Sequence, residues 1–315
     1  MTTSKNLLAI PARGDSAGRS AAQKPECTAV HEDLEQRMNP DQALAARSQT
    51  GSERISTPSS TVPMFADLRG KVAVVTGGSR GIGAATCLAL ARNGVLLVIN
   101  GRDPQALAAS VAAVRAVGGE AIAVQADCTD LAQVERLRDE VEAHYGVPDF
   151  VLAFAGGGTG KPVPLHEISE QDWRSSLDNN LTATFFTLKC FLPGMLARGM
   201  GSIVTMASAG ARVASGAPAG YGAAKAGIIM LTRHLANEVG PAGIRVNCIS
   251  PSAVLTERTR NTMPPERLAQ MLAGFPLGRL GTPDDVAAAA LFLLSDAAAW
   301  TTGVVLDVAG GRVMV

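Results

Sequence analysis

From residue 65 onward, short unbroken apolar runs alternate with longer stretches whose apolar residues recur every three or four positions. Runs of the first kind suit strands buried on both faces, and the second kind suits helices that cover them. Residues 72–76, 95–100, 120–126, 150–155, 202–207, 244–249 and 303–308 read as strands. Residues 84–92, 104–117, 131–144, 171–196, a run around Tyr221, and 284–294 read as helices. Strands spaced by helices make β-α-β units and one parallel sheet of about seven strands. No linker-like stretch interrupts the pattern, so residues 64–315 are expected to form a single domain.

Residues 1–63 follow a different pattern. They are rich in Ser, Thr, Pro, Gln and Ala and show no sustained apolar period. Such a segment buries too little apolar surface to offset its ordering entropy and is expected to be disordered. Asp15, Glu26, Glu32, Asp33 and Glu35 argue against a mitochondrial transit peptide. Met64, directly before the first core-like segment, is a candidate alternative start.

The first strand runs into Gly77-Gly78-Ser79-Arg80-Gly81-Ile82-Gly83 and then into a helical pattern. Glycines placed between a buried strand and a helix allow a tight turn and let a pyrophosphate approach the backbone and the helix N–H groups. This placement makes the expected fold a Rossmann-type α/β sheet, doubly wound, with helices on both faces and a dinucleotide at the turn.

Composition narrows the chemistry. Acidic and basic side chains balance at 28 each, which gives no electrostatic case for nucleic acid or an anionic membrane surface. Cys27, Cys87, Cys128, Cys190 and Cys248 stand singly, which fits a reducing, cytoplasmic setting, with Cys87 and Cys190 read as core. The four histidines lack metal-ligand spacing, so no metal is expected. No apolar run reaches the roughly 20 residues of a membrane span.

Candidate acid–base chemistry lies between Ser208 and Lys225. Tyr221 and Lys225 stand four apart in an Ala-rich run and share one helical face. A nearby ammonium favours phenolate and is expected to lower the tyrosine pKa toward the working pH. Ser208 closes the apolar run 202–207, where its hydroxyl can donate to a substrate oxygen.

Thr76-Gly77-x-x-x-Gly81-x-Gly83, then Asn180, Ser208 and Tyr221-x-x-x-Lys225, resembles the short-chain dehydrogenase/reductase family in its single-domain branch. Arg245-Val246-Asn247-Cys248-Ile249-Ser250-Pro251 and Pro276-Leu277-Gly278-Arg279-Leu280-Gly281-Thr282-Pro283 match later landmarks, so the resemblance runs from about Leu68 to Gly311. It implies an oxidoreductase that interconverts a carbonyl and a secondary alcohol. Tyr221 would exchange the proton with the substrate oxygen. Lys225 would lower the tyrosine pKa and hold the nicotinamide ribose. Ser208 would bond the substrate oxygen, and Asn180 would anchor a water linking Lys225 to solvent. The implied cofactor contacts are Gly77, Ser79, Arg80, Gly81, Ile82 and Gly83 in the turn, and Asn100 and Arg102 after the second strand. Asp127 and Cys128 after the third, Ala155 and Gly156 after the fourth, and Pro251 and Thr256 after the sixth complete them, together with Tyr221 and Lys225.

NAD-specific relatives carry an acid at the end of the second strand. Here that strand ends Ile99-Asn100-Gly101-Arg102, and Asp103 before Pro104 reads as a helix N-cap. Arg80 and Arg102 are expected to clamp a 2′-phosphate, which points to NADP(H). Four positions depart from the family. Ala153-Phe154-Ala155-Gly156 lacks two amide side chains and puts a strand-stabilising hydrogen bond in question. Ser252 replaces a glycine, and Ala309 replaces an acid.

The resemblance places substrate contacts in residues 157–165, 210–219 and 257–275. The last of these reads as a lid carrying Arg258, Arg260, Met263 and Met271, with a short amphipathic helix after Pro264-Pro265. The nearest sub-branch is the 3-oxoacyl-acyl-carrier-protein reductases, which dock an acidic carrier protein on basic residues. The corresponding places here hold Arg198-Gly199 and Ala242. Two alternatives stand beside a 3-oxoacyl thioester reductase: an NAD(P) dehydrogenase of sugars or other secondary alcohols, and a non-catalytic nucleotide-sensing module. A homodimer or homotetramer is implied, through the helices beginning near Gln171 and Ala217, with Ala224, Ala226, Gly227 and Ile228 suited to close packing.

Overall fold

The computed structural model describes residues 62–158, 160–256 and 265–314. The expected disorder of residues 1–63 falls outside these, apart from Val62 and Pro63, which are held in place. Val62 packs against the core, and Asn93 accepts from the Phe65 N–H at 2.7 Å and donates to the Pro63 carbonyl at 3.0 Å.

Seven parallel strands form the sheet: β1 (Val72–Thr76), β2 (Leu96–Gly101), β3 (Glu120–Gln125), β4 (Phe150–Ala153), β5 (Gly201–Met206), β6 (Ile244–Pro251) and β7 (Val305–Val308). Their spatial order is β3-β2-β1-β4-β5-β6-β7. Around them lie α1 (Gly81–Arg92), α2 (Pro104–Ala116), α3 (Leu131–Tyr145), α4 (Glu170–Leu177), α5 (Ala183–Arg198), α6 (Ala219–Val239), α7 (Pro265–Leu272) and α8 (Pro283–Leu294).

Alternate residues of one strand serve opposite layers. Ala73 and Val75 of β1 join Leu90 of α1 and Ala290 of α8, whereas Val74 joins Leu137 of α3, Phe191 of α5 and Leu235 of α6. Every residue of β1 is therefore buried, and helices cover both faces. Because β2 lies on one side of β1 and β4 on the other, the winding reverses there and opens a crevice at the carboxyl ends of the two strands.

Local signals explain several boundaries. Asp103 accepts from the N–H groups of Gln105 and Ala106 before Pro104, as an N-cap should. Thr282 and Asp285 form a reciprocal capping box on α8. Arg279 grips both Asp285 oxygens, at 2.7 and 2.8 Å, and pulls that carboxyl down to about 2. Arg245 donates to the Leu293, Leu294 and Ser295 carbonyls at the end of α8. These two landmark motifs hold the fold together.

The expected helix over 171–196 is one helical run, interrupted in its hydrogen-bond pattern rather than in its path. A π-helical turn, Asp178–Thr182, separates α4 from α5. Asn is a poor helix former, and the side chains of Asn179 and Asn180 both bond to backbone groups near this turn. Ala224 and Ile228 lie inside the subunit, and Gly227 meets Leu181, so only exposed Ala226 remains of the expected packing face. Cys87, Cys128, Cys190 and Cys248 are buried free thiols. Among the described residues there is no metal-ligating cluster and no helix long and apolar enough to cross a membrane.

Candidate active site

At the reversal point the turn after β1 has no room for a side chain at Gly77 or Gly83. Gly77 has φ +65°, and a Cβ there would sit 2.9 Å from the Phe154 carbonyl oxygen of the neighbouring β4 loop. A Cβ on Gly83 would collide with the Gly77 carbonyl oxygen. Gly81, at φ +54°, would meet only the Thr256 methyl at 3.6 Å, which brings the segment after β6 over the turn. Arg80 provides no side-chain cap to α1, so the first N–H groups of that helix are left for an anion. This bare cradle fits the pyrophosphate of a dinucleotide.

Thr76 resolves the missing amides. Its hydroxyl donates to the Leu152 carbonyl at 3.3 Å and accepts from the N–H groups of Phe154 and Ala155 at 3.1 and 3.2 Å. A polar residue closing an apolar strand was the available signal, and the sequence reading passed over it. The backbone beyond is held by Asn180. Its side-chain oxygen accepts from Gly157 N–H at 3.0 Å, and its amide donates to the Gly157 and Ser176 carbonyls at 3.2 and 2.9 Å. The Asn180 side chain therefore clips the β4 loop to the π turn. Gly156 has no room for a Cβ, which would fall 2.6 Å from the same Asn180 oxygen.

Ser208 follows β5, and Tyr221 and Lys225 lie in α6, which packs on β5 and β6. The Ser208 hydroxyl lies close enough to the Tyr221 phenol to favour its ionised form and accepts from Gly210 N–H at 3.2 Å. Lys225 is 2% exposed, and its ammonium donates to the Met206 carbonyl at 2.8 Å. It stands 5.7 Å from the Tyr221 ring centroid. Burial lowers the Lys225 pKa to about 8. Burial also raises the Tyr221 pKa, against a smaller opposing effect of the Ser208 hydroxyl. The expected lowering of the phenol by Lys225 is thus reversed in the protein alone, because desolvation of the phenolate dominates.

The candidate adenosine contacts divide. Arg80 pairs with Asp103, and Arg102 with Asp127 at 3.6 Å, with both guanidinium groups largely in solvent. Asp127 also accepts from the Thr129 N–H and hydroxyl, both at 2.9 Å. Asn100 faces the other way from the expected contact. It is 1% exposed and donates to the Val124 and Ala126 carbonyls at 3.2 and 3.1 Å, tying β2 to β3. Its oxygen accepts from the Cys128 thiol at 3.2 Å, and burial pushes that thiol up to about 12. The side chain of Asn100 therefore belongs to the sheet, because a polar residue on a buried strand must find partners inside, and Cys128 packs with Val134, Ala183 and Cys190. Ser79 lies against Gly101, whose Cβ would meet the Ser79 hydroxyl at 2.7 Å. Ile82 packs against the core, Ala155 lies beside the Gly77 turn, and Pro251 ends β6 in full burial. Of the lid, α7 is described, whereas Arg258, Arg260 and Met263 lie outside the described residues.

The chain matches the family described as "Enoyl-(Acyl carrier protein) reductase" over residues 77–312. It belongs to the short-chain dehydrogenase/reductase family. A 3-oxoacyl-[acyl-carrier-protein] reductase of Synechocystis is 37% identical over 249 residues, covering 78% of this chain and 98% of that relative. Cyclohexanol dehydrogenase of Rhodococcus is 38% identical over 260 residues, covering 78% and 96%. A 3-oxoacyl-[acyl-carrier protein] reductase from Brucella melitensis, solved with bound NAD, superposes with TM-score 0.74 at 32% identity over 80% of this chain and 94% of that one. This short-chain dehydrogenase/reductase is accordingly an oxidoreductase of alcohols and carbonyls that uses a nicotinamide cofactor.

Proposed function

We propose that the chain is an NADP(H)-dependent reductase of free, small carbonyl compounds, producing secondary alcohols. The observation that carries this reading is the Ser208–Tyr221 hydroxyl pair at the carboxyl end of β5, with Lys225 one helical turn further along α6. Bound NADPH would supply hydride to the carbonyl carbon and leave as NADP⁺. Tyr221 would give its proton to the carbonyl oxygen, and Ser208 would hold that oxygen as negative charge builds on it. A phenol kept above its ordinary pKa by burial retains its proton at neutral pH, which suits it to donate in the direction of reduction. Lys225, held by the Met206 carbonyl, would keep positive charge beneath the site and meet the cofactor ribose. Gly77, Gly81 and Gly83 would admit the pyrophosphate, and Thr256 would close over it.

NADP(H) is favoured because two arginines and no carboxylate directly follow the turn and β2, and their present ion pairs are exposed and weak. A free substrate is favoured over a carrier-bound one by the state of Arg198. That side chain donates to the Val147, Pro148 and Met200 carbonyls and pairs with Asp149 at 3.5 Å, so it is committed to its own fold. Exposed Phe185 on α5 and Met230 on α6 support assembly into a homodimer or homotetramer. Four buried thiols suit a cytoplasmic enzyme.

The test is NADPH oxidation with the purified protein and a panel of cyclic ketones, diketones and β-ketoesters. Turnover of at least one is expected, with NADH slower. Tight NADPH binding without turnover of any would leave a sensor on the same fold.

A further inference from the structure

Ser208 begins a short 3-10 turn, Ala209–Ala211, and Arg212 follows it directly. Backbone bonds tie these residues together: Ala211 N–H donates to the Ser208 carbonyl at 2.8 Å, and Arg212 N–H to that of Ala209 at 3.0 Å. The orientation of Ser208 is therefore coupled to wherever Arg212 is anchored. Its anchor lies 95 residues away in sequence. The Arg212 guanidinium donates to Asp307 at 3.0 Å and to the Val305 carbonyl at 3.2 Å, both on the edge strand β7. The two charged side chains are only 17% and 14% exposed. A small apolar contact runs beside them, where Ala209 packs with Ala309 and Val313 of the chain's last segment.

Stability alone does not account for this pair. Arg212 Nε, the second Asp307 oxygen and the hydroxyl of Ser250 are all buried with no hydrogen-bond partner among the described residues. Ser250 stands opposite Asp307 in the β6–β7 register. Burying charge in an incompletely satisfied node is unfavourable, and apolar residues of similar size often match or exceed such a pair in stability. What the pair provides that apolar side chains do not is a fixed direction, through one ionic bond and one backbone bond.

We propose that Arg212 and Asp307 are positioning residues that set the Ser208 hydroxyl against Tyr221, a role that rests on the reductase reading above. The edge strand then acts as the external reference for the loop that orients the substrate oxygen. Loss of the pair leaves the cofactor cradle at β1 untouched and misaligns Ser208.

The experiment compares wild type, the double variant Arg212→Met/Asp307→Leu, and Arg212→Lys, measuring kcat, KM for both substrates, NADPH affinity and melting temperature. The double variant is expected to keep its melting temperature and NADPH affinity while kcat falls roughly ten- to a hundredfold. Arg212→Lys, which keeps the ionic bond, is expected to recover most of that loss. A double variant with kcat within twofold of wild type overturns the proposal. So does a lowered melting temperature with kcat per folded molecule unchanged, which would make the pair structural only. Absence of turnover in wild type instead rejects the reductase reading, and in that case the positioning role falls with it.

Discussion

Lys225 gives its buried ammonium to the carbonyl of Met206, two residues before Ser208, at 2.8 Å. The lysine therefore grips the end of β5 in addition to neighbouring the phenol. No carboxylate contributes to its pKa, and burial alone sets the direction of the shift. A buried ammonium without an anionic partner is destabilising, and such a group beside a tyrosine in a cleft is a candidate functional site.

That charge makes stability depend on pH in a defined window. The Lys225 pKa is about 8 in the folded chain against 10.5 for the free side chain. Between these values the unfolded chain holds more protons, so this residue's contribution to stability rises with pH from about 8 to 10.5 and is flat below. Lys225→Met is expected to remove that rise and to stabilise the fold at pH 7 by about 3 kcal/mol at most, which raises the melting temperature, while abolishing turnover. Melting curves of both proteins from pH 6 to 10 check it. A parallel pH dependence in the two would reject the assignment.

Tyr221→Phe keeps the ring and removes the proton. Loss of a positioned general acid is expected to lower kcat by roughly 10²- to 10⁴-fold. NADPH affinity should change little, because the glycine turn that would receive the pyrophosphate is built by β1 and α1. Fluorescence titration with NADPH alongside the kinetic assay separates the two effects. A variant with most of its activity left would remove Tyr221 from the reaction.

Patterning alone made the sheet and its helices legible, because a parallel sheet buried on both faces leaves unbroken apolar runs in the sequence. Asp103 was legible as a cap for the same local reason, since Asp followed by Pro has one common structural use. The direction of side chains was not legible. Asn100 reads as facing the cofactor, yet its side chain bonds the chain's own backbone. Its partners lie 24 and 26 residues away, beyond the reach of local pattern. The Tyr221 expectation failed for a related reason: spacing shows that a lysine is near, whereas burial decides which way the phenol shifts.

Gly83→Ala tests the cradle. The added methyl would meet the Gly77 carbonyl oxygen and the Gly78 backbone, and backbone cannot yield as a flexible side chain can. An overpacking cost of about 1–3 kcal/mol is expected, with NADPH binding lost more than stability. Gly118→Ala serves as the control, since no atom lies within 4 Å of a Cβ there although its φ of +81° adds backbone strain. Equal loss of NADPH binding in both variants would show that the turn after β1 holds no pyrophosphate.

Cofactor choice rests on Arg102 and Arg80. Arg102 reaches Asp127 at 3.6 Å with most of its side chain in solvent, and the Arg80–Asp103 pair is also exposed. Exposed pairs of this kind contribute little, whereas a phosphate accepts charge-assisted, bidentate bonds from guanidinium. A 2′-phosphate can therefore displace both carboxylates at small cost. Arg102→Asp reverses the charge at the end of β2 and places a second acid near Asp127, so it should repel the phosphate and offer the ribose hydroxyls an acceptor. The kcat/KM ratio for NADPH over NADH is expected to fall at least roughly tenfold, equivalent to about 1.4 kcal/mol. KM for NADPH in the unmodified enzyme should also rise with ionic strength more steeply than KM for NADH, because only the former gains from a screened ionic contact. If neither the substitution nor salt alters the preference, the arginines serve only their ion pairs, and selection between the two nucleotides lies elsewhere in the adenosine pocket.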